Sequence, residues 1–248
     1  MTSDIHPTAV LGPEVTLGDD VVVGPFAVLA GRTSIGSGVW IGPHTVLGTP
    51  AEIRGHHHGT PWSEVGGGAL RIGDRSTLRE HVTVHAGSVR ETVVGPDCFL
   101  LDKSYVAHDC VLGARVTLSP SASLAGHVTL GDDVTVGMGA LVHQRRAVGP
   151  GAMVGMGAVV THDVAPYVTA YGTPARVRGA NLVGMQRLGI PPEDVAWLTE
   201  RHRTGQAFPT SGTGLDAVPP SLRPAAAWWE RATGAGPGAD CAASGARS

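Results

Sequence analysis

The chain has 248 residues and a formal net charge of −3, and 42% of its residues are hydrophobic but only 4% aromatic. Its 21 acidic and 18 basic residues nearly balance, which leaves no global electrostatic basis for binding nucleic acid. No run approaches the roughly 18 consecutive apolar residues of a membrane span, and the N-terminus lacks a signal-peptide pattern, so we expect a cytoplasmic protein.

An aliphatic residue recurs every six positions along most of the chain. The repeat runs from Leu11 to Leu47, from Ile72 to Val84 and from Val94 to Val160, and it fills all 22 of its positions. This period differs from the 3.6 residues of an amphipathic helix and from the two-residue alternation of a long strand. Three six-residue units would close a triangular coil, and stacked coils would hydrogen-bond as parallel strands about 4.8 Å apart. The sequence therefore predicts a mainly β protein, a parallel β-helix over residues 1–180.

Two segments interrupt the repeat, at residues 49–71 and 85–93. Loops that leave a rigid scaffold commonly carry function. The first loop contains three consecutive histidines, His56, His57 and His58. We expect an exposed loop there, with substrate contact or adventitious metal binding as the alternatives.

The repeat ends after Asp163. Residues 181–232 are expected to form a short helical region, in which a helix opens at Pro191 and Pro192 and ends by Gly205. Residues 233–248 have the composition of a disordered tail. Cys98 and Cys110 occupy small inward positions of the repeat, so we interpret them as packing residues in a reduced protein.

The 18-residue coil brings several histidines together. Residues one coil apart lie above one another, which places four residues in one column: His108, Gly126, Gln144 and His162. His127 and His143 lie one residue from that column, and because the second interruption adds four residues to the period, His85 projects beside it. Such a column suits general-base catalysis near neutral pH, and it also suits a zinc site with three histidine ligands.

The local motifs around this column favour general-base catalysis over zinc binding. The His-Asp-Cys series at 108–110, Ala-Gly-His at 125–127 and His-Gln at 143–144 resemble the acyl-carrier-protein-dependent UDP-N-acetylglucosamine O-acyltransferases of lipid A synthesis. Segments 72–85 and 163–168 add to a resemblance that covers roughly residues 5–190. It implies a left-handed β-helix, a homotrimer, a nucleotide-sugar acceptor and a thioester donor on acyl carrier protein or CoA. No cofactor is expected beyond the phosphopantetheine of that donor.

The same resemblance assigns roles to individual residues. His108 would be the general base, Asp109 would orient its imidazole, and the backbone N–H of Gly126 would stabilise the oxyanion. The implied substrate contacts are Glu52, Arg54, His85, Tyr105, His127, His143, Gln144, Met156, Asn181 and Arg187. Among them Asn181 and Arg187 would touch the acyl donor, and Met156 would limit the acyl chain to a short or medium length.

Three residues depart from the expected pattern, and three other functions remain open. Tyr105 and Ala86 stand where the family has His and Arg, and Arg146 fills a slot that is otherwise small, so we expect it to bend outward. One alternative is a CoA- or carrier-protein-dependent N-acyltransferase acting on an amino sugar. Another is a zinc hydratase like the γ-class carbonic anhydrases, although Lys103 replaces one of their histidine ligands. The last is a non-catalytic scaffold.

Overall fold

The structure is a computed structural model that describes residues 3–54, 68–206, 208–209 and 217–234. Most strands in these ranges are two residues long, because each side of a coil consists of one inward aliphatic residue and its outward neighbour before the chain turns. Strands are numbered along the chain and fall into three sheets.

Each sheet takes every third strand of the coil. The first sheet contains β1 (Asp4–Ile5), β4 (Val22–Val23), β7 (Trp40–Ile41), β10 (Thr77–Leu78), β13 (Phe99–Leu100), β16 (Thr117–Leu118), β19 (Thr135–Val136), β22 (Met153–Val154), β24 (Val168–Tyr171) and β25 (Arg176–Ala180). The second contains β2 (Val10–Leu11), β5 (Val28–Leu29), β8 (Val46–Thr49), β11 (Thr83–His85), β14 (Tyr105–Val106), β17 (Ser123–Leu124), β20 (Leu141–Val142) and β23 (Val159–Val160). The third contains β3 (Thr16–Leu17), β6 (Arg32–Ile35), β9 (Ala69–Ile72), β12 (Thr92–Val94), β15 (Val111–Leu112), β18 (Thr129–Leu130) and β21 (Ala147–Val148).

The pairing is parallel between successive coils. Leu100 pairs with Leu118, and Leu124 pairs with Val142, so the register follows the 18-residue spacing read from the sequence. The exception among the named pairs is β24 with β25, which is antiparallel. The prediction of a left-handed parallel β-helix is confirmed, with about nine turns.

The six-residue repeat forms the core of this prism. Twenty of its 22 aliphatic positions are buried, and the two that are only partly buried, Leu11 and Leu17, lie in the first coil, beneath which the described residues place no other coil. The interior is therefore a ladder of Leu, Ile and Val side chains, and stability in such a stack comes from neighbouring coils.

At each corner of the coil, the backbone holds one residue at a fixed position on the outer edge of the prism. The third residue after the aliphatic one repeatedly has a positive φ, as in Asp109 at 61°, His127 at 63° and Arg145 at 59°. Because this left-handed conformation reverses the chain sharply, it presents the residue just before it at the outer edge of the prism. His108 and Gly126 occupy that preceding position.

The strands reach further into both interruptions than expected. The repeat placed the loops at 49–71 and 85–93, but β9 begins at Ala69 and β12 at Thr92. The reason is that Leu70 and Thr92 are a second inward residue of their strands, both fully buried, which the aliphatic repeat alone does not mark.

In the described residues after the prism there are three α-helices: α1 (Leu182–Arg187), α2 (Pro192–Arg203) and α3 (Arg223–Thr233), the last preceded by a 3-10 turn at Pro220–Leu222. The helix expected after Pro191 is confirmed as α2. Helix α3 folds back on the third sheet, where Trp229, Ala225 and Ala226 share a hydrophobic cluster with Ala147 of β21. The predicted tail lies outside the described residues from 235 onward. No helix in the described part of the chain is long and apolar enough to cross a membrane.

Candidate active site

The candidate site lies at the corner that joins the second and third sheets. His108 follows β14 and precedes β15, and its side chain is 14% exposed. Its Nδ1 lies 2.7 Å from Oδ2 of Asp109, whose side chain is fully buried. The two residues expected to act as base and orienting carboxylate are therefore in direct contact.

Asp109 is held by the second interruption. Its Oδ1 accepts the backbone N–H groups of Ser88, Val89 and Arg90, each at 2.9 Å, and its Oδ2 accepts the Ser88 hydroxyl at 2.5 Å. Burial raises the pKa of this carboxyl, but the hydrogen bonds from Ser88, Arg90 and His108 outweigh burial and hold the pKa well below its usual value. Asp109 is thus an ionised, fixed acceptor.

An ionised Asp109 determines which nitrogen of His108 can act. Nδ1 donates its proton to the carboxylate, so Nε2 carries the lone pair that a neutral imidazole offers as a base. Since Asp109 is immobile, the ring orientation of His108 is fixed as well.

Gly126 lies directly above the His108 ring, as the 18-residue spacing predicts. A Cβ atom on Gly126 would be 2.7 Å from Cε1 and 2.8 Å from Nε2 of His108, so any side chain there would displace the His108 ring. Within the described residues the Gly126 N–H donates to no protein acceptor. It is therefore a backbone donor beside the proposed base, as an oxyanion site requires.

His127 completes the group. Its ring stands edge-on to that of His108 with centroids 5.1 Å apart, and its Nε2 lies 3.7 Å from Oδ2 of Asp109. Burial lowers the pKa of His127, and Arg145 and His108 add to the effect, while Asp109 opposes it. His127 is therefore biased towards its neutral form.

The same three side chains bear on the zinc alternative, because their ligating atoms lie within 4.8 Å of one another. Oδ1 of Asp109 already accepts three N–H groups, and its Oδ2 accepts the Ser88 hydroxyl and His108. Neither oxygen is left to coordinate an ion, and Nδ1 of His108 is committed to Asp109. The contacts favour a hydrogen-bonded pair over a metal centre.

A second group lies one coil below, around His85. Its Nδ1 contacts the Thr49 hydroxyl at 3.1 Å and the Pro50 carbonyl oxygen at 3.0 Å, and its Nε2 lies 3.7 Å from the Glu52 carboxylate. The Tyr105 ring stands edge-on to His85 at 5.5 Å, and its buried hydroxyl has no hydrogen-bond partner among the described residues. Burial, and then Glu52, raises the pKa of Tyr105. His85, Glu52 and Tyr105, which were all expected to contact the substrate, therefore lie together.

The expected sugar contacts above the base are exposed. His143 and Gln144 follow β20, where Leu141 pairs with Ser123, so they lie one coil above Ala125 and Gly126. Nδ1 of His143 lies 3.2 Å from the Gln144 carbonyl oxygen. Arg54 is also exposed, at the edge of the described segment. His56, His57 and His58 lie outside the described residues.

The three remaining expected contacts lie apart from this corner. Met156 is 74% exposed, between β22 of the first sheet and β23 of the second. Asn181 caps α1: its amide oxygen accepts the Gly184 N–H at 3.1 Å, and its amide nitrogen donates to the Gly151 carbonyl oxygen at 3.0 Å. Arg187 is exposed in the last turn of α1. Asn181 therefore has a structural role, and its contact with the donor stays a prediction.

The two structural cysteines behave as predicted. Both are buried, and burial raises the pKa of Cys98 to about 11 and that of Cys110 to about 12. They are inert packing residues. The third cysteine, Cys241, lies outside the described residues.

Sequence reasoning missed the residues that hold Asp109. Ser88, Arg90 and Thr92 all belong to the second interruption or its edge, and the Thr92 hydroxyl accepts the Asp109 N–H at 2.8 Å. A residue in a loop has no place in the 18-residue register, so the repeat could not project these three onto the site. Arg145 was also missed, although its position above His127 could have indicated it.

The chain resembles known acyltransferases over most of its length. Residues 163–208 match the family model described as UDP-N-acetylglucosamine O-acyltransferase, domain 2. An acyl-(acyl-carrier-protein)–UDP-N-acetylglucosamine O-acyltransferase of Agrobacterium fabrum is 40% identical over 216 residues, covering 78% of this chain and 77% of that protein. A protein of the same name from Paraburkholderia phytofirmans is 41% identical over 215 residues, covering 81% and 82%. The solved UDP-N-acetylglucosamine acyltransferase of Bacteroides fragilis superposes with a TM-score of 0.74 at 26% identity, covering 88% and 93%.

Proposed function

The chain belongs to the family of acyl-(acyl-carrier-protein)–UDP-N-acetylglucosamine O-acyltransferases, and we propose that it moves an acyl group from acyl carrier protein to a hydroxyl of UDP-N-acetylglucosamine or a closely related nucleotide sugar. The observation that carries this proposal is the stacked arrangement of His108, Asp109 and Gly126. In this arrangement His108 can act as the base, Asp109 as its orienting carboxylate and the Gly126 N–H as the oxyanion donor.

The proposed reaction follows from these positions. Nε2 of His108 removes the proton of the sugar hydroxyl while the oxygen attacks the thioester carbonyl carbon. The carbonyl oxygen becomes negatively charged in the tetrahedral intermediate and accepts a hydrogen bond from the Gly126 N–H. When the intermediate collapses, the carbon–sulfur bond breaks, and the His108 imidazolium returns its proton to the leaving thiolate. Asp109 stays ionised throughout and stabilises the imidazolium.

An exposed strip of apolar side chains is a candidate binding surface for the acyl chain. Met138 and Met156 occupy the same corner on successive coils and are 51% and 74% exposed, and Leu141 is 47% exposed on the neighbouring strand. This strip leads across the second sheet away from His143. Because Met156 lies at its far end, we propose that the enzyme takes short or medium acyl chains, since each excluded methylene forfeits about 0.8 kcal/mol.

We further propose that the protein works as a homotrimer in the cytoplasm. The outward residues of the second sheet include Val10 and Leu141, both more than two-fifths exposed, and no described element of this chain covers them. A second prism packed there would cover these side chains, and the apolar strip and the candidate site would then lie between two subunits. Light scattering should give about three times the chain mass of 25.4 kDa, and a mass of one chain would contradict the trimer.

A matrix of donors and acceptors tests the function. The protein is incubated with acyl carrier protein or CoA thioesters of graded length, and with either UDP-N-acetylglucosamine or its amino-sugar analogue. Thiol release is followed, and the product mass is measured. We expect an ester of the nucleotide sugar, formed from the carrier-protein donor. Acylation confined to the amine would support the N-acyltransferase alternative, and no transfer to either acceptor would contradict the proposal.

A further inference from the structure

A basic cavity adjoins the candidate site, between the third sheet and α3. Its volume is about 400 Å³, and its lining includes Arg90, His127, Arg145, Arg146 and Asp163. A smaller cavity of about 300 Å³ shares Arg90 and also has Arg231 in its lining. The larger one is within the range of about 300–1,000 Å³ that is typical of ligand pockets.

The charges in this cavity are unbalanced. Asp163 is its one acidic residue among those described, and its Oδ1 already accepts the Ala147 N–H at 2.9 Å and lies 3.4 Å from the Arg146 guanidinium. Arg145 makes no ion pair with a described residue. The lining therefore carries three arginines and one carboxylate, a net positive charge that favours an anion in the cavity.

Arg146 occupies a slot in which the two coils below pack apolar residues. Cys110 and Val128, which are fully buried, fill the same inward slot of the third sheet on the two coils below. The Arg146 side chain leaves this slot and remains one-third exposed at the cavity, as the sequence led us to expect. An arginine at this position is therefore better explained by its contacts in the cavity than by packing in the core.

The cavity is joined directly to the catalytic pair. The Arg90 guanidinium donates to the Asp109 carbonyl oxygen at 2.7 Å, and the Arg145 N–H donates to the Gly126 carbonyl oxygen at 3.0 Å. His127 lines the cavity and also stands 5.1 Å from the His108 ring. A group held by these arginines would therefore lie beside the reacting atoms.

We propose that this cavity binds a phosphate or diphosphate group of a substrate through Arg90, Arg145 and Arg146. The planar guanidinium fork matches phosphate oxygens in pairs, and an anion would neutralise the excess positive charge. If the proposed function holds, two substrates could supply the group: the diphosphate of the nucleotide sugar, or the phosphodiester of the donor's phosphopantetheine. The anion site itself does not depend on that function.

Inorganic pyrophosphate is the probe, titrated calorimetrically into the full-length protein. The test variant combines Arg145→Asn, which tolerates the positive φ, with Arg146→Ala, which restores the small residue of that slot. Arg176→Gln, on β25 in another sheet, is the matched control. We expect binding to weaken roughly 10- to 100-fold in the double variant and to stay unchanged in the control.

Steady-state kinetics identify the source of the phosphate. The double variant should raise KM by a similar factor for one substrate, either the nucleotide sugar or the carrier-protein thioester, while kcat changes less than about threefold. Arginine-dependent pyrophosphate binding without any acyl transfer would uphold the anion site and reject the proposed function. Equal pyrophosphate binding by wild type and double variant, or none by either, would overturn the site.

Discussion

At the scale of single residues, the site depends on how Asp109 is held. This carboxylate accepts five hydrogen bonds in a fully buried position, and four of them come from Ser88, Val89 and Arg90 of one loop. The loop therefore fixes the carboxylate, and the carboxylate fixes His108.

We expect Asp109→Asn to lower both activity and stability. The new amide nitrogen cannot accept the bonds from Ser88 and His108, and losing hydrogen bonds to a charged group costs about 1.5–3 kcal/mol each. Turnover and urea unfolding measure the two effects. Hydrogen exchange at Ser88–Arg90 should accelerate in the variant, and unchanged exchange would show that Asp109 does not hold the loop.

The low pKa of Asp109 predicts acid sensitivity. Its folded-state pKa lies below the unfolded value of about 3.9, so its contribution to stability is present above that pH and is lost as pH falls towards the folded-state pKa. The free energy of unfolding should therefore fall more steeply below about pH 4 in wild type than in Asp109→Asn. If the free energy of unfolding had the same pH dependence in both proteins, Asp109 would not be the group with the lowered pKa.

Gly126→Ala should inactivate the enzyme without unfolding it. The added Cβ would push the His108 ring from its position, while Gly126 does not have the positive φ that makes alanine strained. Misplacing the base and the oxyanion donor should cost about 10²- to 10³-fold in kcat. Gly12→Ala is the matched control, since its Cβ would meet only ordinary contacts of 3.4 Å or more. Equal activity of both variants would exclude this role of Gly126.

The sequence predicted the site residues that follow the 18-residue spacing of the coils, and it missed those that lie in loops. The 18-residue spacing stacked Gly126 over His108, and the structure has them in contact. Ser88 and Arg90 could not be placed in this way because loop geometry has no period. Asn181 was interpreted as a donor contact, whereas its spacing to Gly184 is also that of a helix cap.

At the scale of elements, the coils were predictable and the short C-terminal elements less so. Helix α2 has its signals in the sequence, with proline at its start and Gly205 in a left-handed conformation just after its end. Helix α1 has six residues, too few for a periodic pattern to show. The β24–β25 hairpin lies beyond the aliphatic repeat, which therefore could not indicate it.

Trp229 is the largest buried side chain of α3 and is 4% exposed in the hydrophobic cluster that this helix shares with Ala147 of the prism. Trp229→Ala should cost about 3–5 kcal/mol of local stability, because a large buried ring leaves a cavity. Amide exchange in α3 should accelerate while that of β16 and β17 does not. Trp40→Ala, at a half-buried position of β7 outside this cluster, should leave α3 protected, and loss of protection throughout the prism in Trp229→Ala would contradict separate attachment.

At the scale of the whole molecule, the prism is a stack in which each coil depends on its neighbours. Leu118 is fully buried between two coils, whereas Leu11 lies in the first coil and is only partly buried. Leu118→Ala should therefore cost about 2–5 kcal/mol, and Leu11→Ala should cost clearly less. Denaturant unfolding compares them, and equal losses would show that the end coil is covered by something else.

The central claim is that His108 is the general base of acyl transfer. It is tested most directly by comparing kcat/KM of wild type and His108→Ala with a carrier-protein thioester and UDP-N-acetylglucosamine, alongside the melting temperatures of both. His108 lies at the outer corner, so its removal leaves the core intact. We predict a loss of about 10²- to 10⁴-fold in kcat/KM, and a melting temperature lowered only by the loss of the single hydrogen bond to Asp109, about 1.5–3 kcal/mol. A folded variant whose activity stays within about threefold of wild type would contradict the account.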